Sequence, residues 1–208
     1  MSTTFDVLPG SHYIPTFEEI VELSSSYLNS FLRSIGLKKD IGLRVNLHKS
    51  DESIINNNVQ PLEAKWDSDY YAWFYIKGID GGTDCHFSSF EESDYDIWKE
   101  EIKGNVKIRS YKNEINKSLK IGHYWSLRRS AGQPGVIALC YGLIAASLAK
   151  LTDGLIYTDD GAWDYSQFPT NADNFLTWYF RPEFTVDTDY KEWVQSCISS
   201  ICKELQGK

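Results

Sequence analysis

The sequence predicts an α+β domain, a mainly antiparallel sheet built from hairpins and packed against several helices, one of them very apolar and central. Three observations predict it. Apolar residues recur at helical spacing in long stretches near both ends of the chain, aromatic and β-branched runs flank Asp-Gly turns, and helices and hairpins follow one another without a regular βαβ rhythm. No internal repeat, low-complexity tract or long Pro/Gly/Ser linker divides the chain, so residues 1–208 read as a single domain. The 42% hydrophobic content, with seven Trp, thirteen Tyr and ten Phe, supplies enough apolar surface for one core.

The first element follows a capping box, Thr16-Phe17-Glu18-Glu19, with Thr16 as N-cap. Behind it Phe17, Ile20, Val21, Leu28, Phe31, Leu32 and Ile35 keep helical spacing as far as Gly36, a glycine stop. Ile41 to His48 alternates as a strand, and the polar, Asn-rich Ser50 to Asn58 reads as an exposed loop. Tyr70–Gly78 and Thr83–Phe90 flank Asp80-Gly81-Gly82 as a hairpin. Ser93 caps a short helix through Trp98 to Ile102, stopped by Gly104; Val106 to Arg109 reads as a strand and Tyr111 to Leu119 as a weak helix, while His123 to Arg129 fits either period.

Pro134 opens the most apolar helix, which runs to about Leu151 and stops at Asp153-Gly154. Being apolar on nearly every face, it must be wrapped by other elements. Leu155–Thr158 and Ala162–Tyr165 flank Asp159-Asp160-Gly161 as a second hairpin, and Thr170 caps a short helix through Asn174 to Trp178, ended by Pro182. The last helix carries Tyr190, Trp193, Val194, Cys197, Ile198, Ile201 and Leu205 in one stripe.

Charge narrows the function classes. The net charge of −8 repels nucleic-acid phosphates and anionic headgroups and attracts a basic partner. The pair Arg128-Arg129 is too short for a phosphate-tracking groove, so neither nucleic acid nor membrane is expected. Val136 to Ala149 is shorter than the roughly 20 residues a membrane span needs. Met1 to Gly10 has neither a basic nor an apolar signal region. Cys85, Cys140, Cys197 and Cys202 contain no C-x-x-C pair, which argues against a structural zinc site and for reduced thiols in a cytoplasm.

Phosphate loops, G-x-S-x-G, H-E-x-x-H and dinucleotide fingerprints are absent from the sequence. What remains are constellations. Asp153, Asp159, Asp160 and Asp164 fit a carboxylate cluster or, more simply, turn residues that cap nearby N–H groups. Asp84-Cys85-His86 lie on a strand where alternation puts Asp84 and His86 on one face and Cys85 on the other, so a Cys–His pair does not converge; closing a site with His123 or His12 needs help from elsewhere. Arg181 and Glu183 around Pro182, after Trp178-Tyr179-Phe180, suit a ligand clamp or an ion pair. Tyr70, Tyr71, Trp73, Phe74 and Tyr75 must divide between two sheet faces, leaving aromatics for packing or for a partner.

The stretch from Leu151 to Tyr165, together with Phe168-Pro169, Phe175-Leu176 and Tyr179-Phe180-Arg181-Pro182-Glu183, resembles segments of immunity proteins from bacterial polymorphic and contact-dependent toxin systems. With the apolar helix before it, the resemblance covers about a third of the chain, and its motifs are turns and aromatic anchors. It implies a small, cytosolic or periplasmic protein without catalytic machinery, acidic where its toxin is a basic nuclease, that works by occluding the toxin's active site or locking an inactive conformation; no cofactor or metal is expected. The expected contact surface is the acidic hairpin, with Asp159, Asp160, Trp163 and Asp164 as partner-binding residues. Two other readings compete: a metal-dependent hydrolase or nucleotide-processing enzyme using the carboxylates from Asp153 to Asp164 with His86 or His123, and a small-ligand-binding or scaffold domain.

Overall fold

The computed structural model describes residues 2–49, 62, 64–160 and 165–206. Its centre is a seven-stranded, wholly antiparallel sheet in the order β2-β3-β4-β5-β1-β6-β7. The strands are β1 (Ser2–Leu8), β2 (Leu43–Lys49), β3 (Tyr70–Ile76), β4 (Thr83–Ser89), β5 (His123–Ser130), β6 (Leu155–Tyr157) and β7 (Thr170–Asn171). The helices are α1 (Phe17–Ser34), α2 (Glu92–Gly104), α3 (Val106–Ser110), α4 (Lys112–Ile121), α5 (Gly135–Leu151), α6 (Ala172–Trp178) and α7 (Thr188–Gln206). The α+β expectation holds.

Helix α5 organises the larger core. Every residue from Gly135 to Ala149 is buried, between the inner face of the sheet and the helices α1, α6 and α7. Phe5 on β1 stacks on Tyr141 of α5 at 4.6 Å between ring centroids, and Phe175 and Tyr179 close the cluster. Tyr179 reaches the helix backbone directly: its hydroxyl donates to the Ala138 carbonyl (2.8 Å) and accepts from the Gly142 N–H (3.2 Å). Glycine at 142 permits this approach, because a Cβ there would lie 2.2 Å from the Tyr179 ring. Against α1, Ser24 and Ser147 hydrogen-bond at 2.9 Å, and these small residues let the two helices sit close.

Helix α7 packs the stripe the sequence predicts, with Tyr190, Val194, Ile201 and Leu205 buried. It also finishes α5. Glu204 accepts from the first free N–H groups of that helix, Gly135 at 3.0 Å and Val136 at 3.4 Å, so a carboxylate meets the positive end of the helix dipole. The capping box of α1 is present as expected, with Glu19 N–H donating to Thr16 Oγ1 and Thr16 N–H donating to Glu19 Oε2 at 2.8 Å.

A second, smaller core lies on the opposite face of the sheet. Trp98, Ile108, Ile115 and Leu119 of α2–α4 cover Leu8 and Leu155. Only the β5-β1-β6 part of that face is covered in this way; further along, Tyr71, Trp73 and Tyr75 on β3 remain half-exposed while Ala72 and Phe74 point into the main core.

Several expectations are corrected. Val106–Ser110 is a helical turn, not a strand: Asn105 caps it by accepting from the N–H groups of Lys107 and Ile108. The residue preceding α2 is Glu91, whose N–H donates to Asp94 Oδ2, rather than Ser93. Asn171, not Thr170, caps α6. The strand that pairs with β6 on its outer side is Thr170–Asn171, and Tyr165–Gln167 is a 3-10 turn. Residues 161–164 of the expected hairpin, and the expected Ser50–Asn58 loop, lie outside the described residues. The N-terminal segment, read above only for a targeting signal, supplies a central strand.

Candidate functional site

A cleft of about 240 Å³ opens where α2 crosses the outer face of β5, β1 and β6. Each wall follows from local periodicity. On β1, Thr3, Phe5 and Val7 point into the main core, which leaves Asp6 on the other face. Its register partners are Ser126 on β5 and Tyr157 on β6. On α2, Asp94, Ile97, Trp98 and Glu101 fall at i, i+3, i+4 and i+7, one helical face directed at the cleft. Asp159, just after β6, closes one side.

Rings line the space between the carboxylates. Trp98 lies 4.7 Å from Tyr157, and Phe90 stacks on Tyr124 at 4.8 Å with an interplanar angle of 23°. The carboxylates of Asp6, Asp94, Glu101 and Asp159 therefore share a small volume with four aromatic side chains. Among the described residues no lysine or arginine ion-pairs with any of the four.

This crowding shows in the titration of the lining groups. Loss of hydration pushes the Asp6 carboxyl up to about 6; a hydrogen bond from Ser126 works against that, and the negative charges of Asp159 and Asp94 add to it. Burial raises the Tyr157 phenol to about 12, helped by Glu101, Asp159 and Asp6. Tyr124 shifts upward for the same leading reason, with Asp6 and Asp94 contributing. All these shifts express burial first, with the neighbouring negative charges adding to it. Among the described residues no group of three or more His, Cys, Asp or Glu is arranged to hold a metal ion.

Of the expected partner-binding residues, Asp159 is exposed and belongs to this cleft. Asp160 is partly buried, its N–H donating to Thr158 Oγ1 at 3.0 Å. Trp163 and Asp164 lie outside the described residues. Asp153 is separated from Asp159: it is an exposed turn residue with φ of 50° that lines a different depression with Lys150 and Asp173. Asp153 and Asp159, two of the carboxylates that an enzyme reading would join, therefore face different hollows.

His86 and His123 do not converge either. His86 lies on the outer face against Tyr71 (5.1 Å), which also contacts His48 (5.4 Å). His123 packs between Phe87 and Trp125 on the inner side, where burial first and then the charge of His12 hold it below its usual range. As the alternation requires, Cys85 is buried in the core while Asp84 lies on the outer face; Asp84 receives both Nε and Nη2 of Arg128 at 2.9 and 2.7 Å. Arg129 points the other way, its guanidinium 5.5 Å from the Trp193 ring and 5.8 Å from Tyr141, so the Arg-Arg pair forms no patch. Trp178, Tyr179 and Phe180 are core residues, leaving Arg181 exposed beside Asp173 and Phe184 rather than in an aromatic clamp.

Asp6, Tyr124 and Tyr157 carried no sequence signal, because single polar or aromatic residues in short strands resemble any other. Comparison with known protein families, characterised proteins and solved structures finds no match.

Proposed function

We propose that this chain is a non-catalytic binding protein that neutralises a cognate, basic bacterial toxin domain by occluding it. The observation that supports this reading is the cleft under α2, where four carboxylates and four aromatic rings gather and, among the described residues, no lysine or arginine ion-pairs with the carboxylates. Aromatic anchors flanked by unpaired charge are what a partner's hot-spot residues dock against. The net charge of −8 adds long-range attraction, which speeds encounter with a basic surface. Asp159 lines the cleft and Asp160 follows it, both in the segment that resembles immunity proteins.

The test is binding kinetics against the product of the neighbouring toxin gene, measured across a range of salt. Rim charges act mainly on association. The double variant Asp159→Asn with Asp160→Asn should slow association several-fold and flatten its salt dependence while the melting temperature stays unchanged. Association unaltered by the double variant removes this rim from the interface, and absence of any binding counts against the immunity reading.

A further inference from the structure

We propose that the cleft beneath α2 is a receptor for one guanidinium group, the head of an arginine side chain presented by the basic partner. The identity of the donor rests on the toxin-binding reading above; the site itself rests on geometry. Its volume of about 240 Å³ falls below the range of about 300–1,000 Å³ that drug-sized ligands occupy, and suits a single side chain. Its walls are the rings of Trp98 and Tyr157 on one side and Phe90 and Tyr124 on the other. A planar, weakly hydrated cation stacks on such faces while its N–H fork meets carboxylates, which a compact ammonium does less well.

The carboxylates approach from three separate elements. Asp94 and Glu101 come from α2, Asp159 from the end of β6, and Asp6 from the strand beneath. Groups facing Asp6 are Ser126 and Tyr124 from β5, Tyr157 and Asp159 from β6, and Asp94 and Glu101 from α2; none of them is cationic. One Asp94 oxygen is taken by the Glu91 N–H at 2.7 Å, and Ser126 bonds Asp6, so oxygens on Asp6, Asp159 and Glu101 are left to receive the donors. A bound cation favours ionised Asp6, and binding should therefore strengthen as pH rises through the range in which this carboxyl loses its proton.

The test uses N-ethylguanidinium chloride on the full chain, followed through the Trp98 indole N–H by NMR. N-ethylurea serves as the neutral isostere, n-butylammonium chloride as the compact cation and sodium chloride as the ionic-strength control. The expected result is a saturable Trp98 shift with N-ethylguanidinium, weaker with n-butylammonium, absent with N-ethylurea, and diminished at least three-fold in affinity between pH 7 and pH 5. Asp6→Asn, which keeps the fold and the Ser126 contact, should reduce affinity about ten-fold; Glu101→Gln gives an independent check at the mouth. A Trp98 response equal to that of sodium chloride or N-ethylurea, or one that both variants leave intact, overturns the proposal. If N-ethylguanidinium saturates the cleft but no toxin domain binds the protein, the receptor stands and the immunity reading falls. If a basic toxin domain binds and neither N-ethylguanidinium nor Asp6→Asn has any effect, the receptor falls and the immunity reading stands.

Discussion

Asp6 occupies a position where a carboxylate is held at a cost. Its carboxyl is raised from 3.8 to about 6, chiefly by loss of hydration. The native state therefore keeps a proton that the unfolded chain gives up, and stability falls as pH rises from about 4 through 6. The penalty at neutral pH is on the order of 3 kcal/mol, a large share of the roughly 5–15 kcal/mol that holds a domain together. Asp6→Asn retains an acceptor for Ser126 and removes the charge. It is expected to raise stability at pH 7 by about 1–3 kcal/mol and to abolish the decline between pH 4 and 6, read from urea unfolding at several pH values. A difference between wild type and Asp6→Asn that stays constant over that interval would show Asp6 to be well hydrated. Gly142 is the opposite case, a residue fixed by packing alone. Gly142→Ala drives a methyl into the Tyr179 ring and breaks two hydrogen bonds to the α5 backbone. A loss of about 1–3 kcal/mol is expected in the same unfolding assay.

Among the elements, legibility followed length and capping. Helices α1 and α7 each show several turns of apolar stripe, and α5 shows uninterrupted apolarity; their ends carry Thr16, Gly36 and Pro134. Such signals survive tertiary context because many residues agree. Helix α3 has only five residues, and Val106 and Ile108 alternate as well as any strand; Asn105 and the contacts of Ile108 decided for helix. Strand β1 is a short run broken by Asp6, so its place between β5 and β6 was invisible until its partners were known. The cleft was less legible still. Its residues come from β1, α2, β5, β6 and the flanking loops, with no fixed spacing, and of them Asp159 alone had been named as a partner-binding residue. Two variants probe the packing of α7 on α5. Trp193, stacked on Tyr190 and edge-on to Phe180, should cost about 2–4 kcal/mol as Trp193→Ala. Glu204→Ala, which leaves the Gly135 and Val136 N–H groups without their acceptor, should cost about 1 kcal/mol. Melting temperatures within a degree or two of wild type would mean that α7 is only loosely attached.

At the scale of the whole molecule, the sheet has two unlike faces. One is filled end to end by α5 and its neighbours; the other is covered at one end by α2–α4 and carries half-exposed Tyr71, Trp73 and His48 at the other. Among the described residues no helix is long and apolar enough to cross a membrane. Among the described residues no group of three or more His, Cys, Asp or Glu is placed to hold a metal ion, and exhaustive chelation is expected to leave the melting temperature unchanged; a chelator-sensitive melt would revive the carboxylate enzyme. The strand order bears also on how the molecule is made. Neighbours β2, β3 and β4 follow one another along the chain and zip up locally, whereas Val7 waits for Trp125 on one side and Ile156 on the other. The earliest of these strands to leave the ribosome is thus completed only when most of the chain has been synthesised, and its ordering closes one of the longest loops in the fold. Until then the edge of β1 that β6 will pair has no cover, while β5 already lies between β4 and β1. Between the translation of Trp125 and that of Ile156 one edge of β1 therefore stands unpaired, and unpaired strand edges are where folding chains associate wrongly.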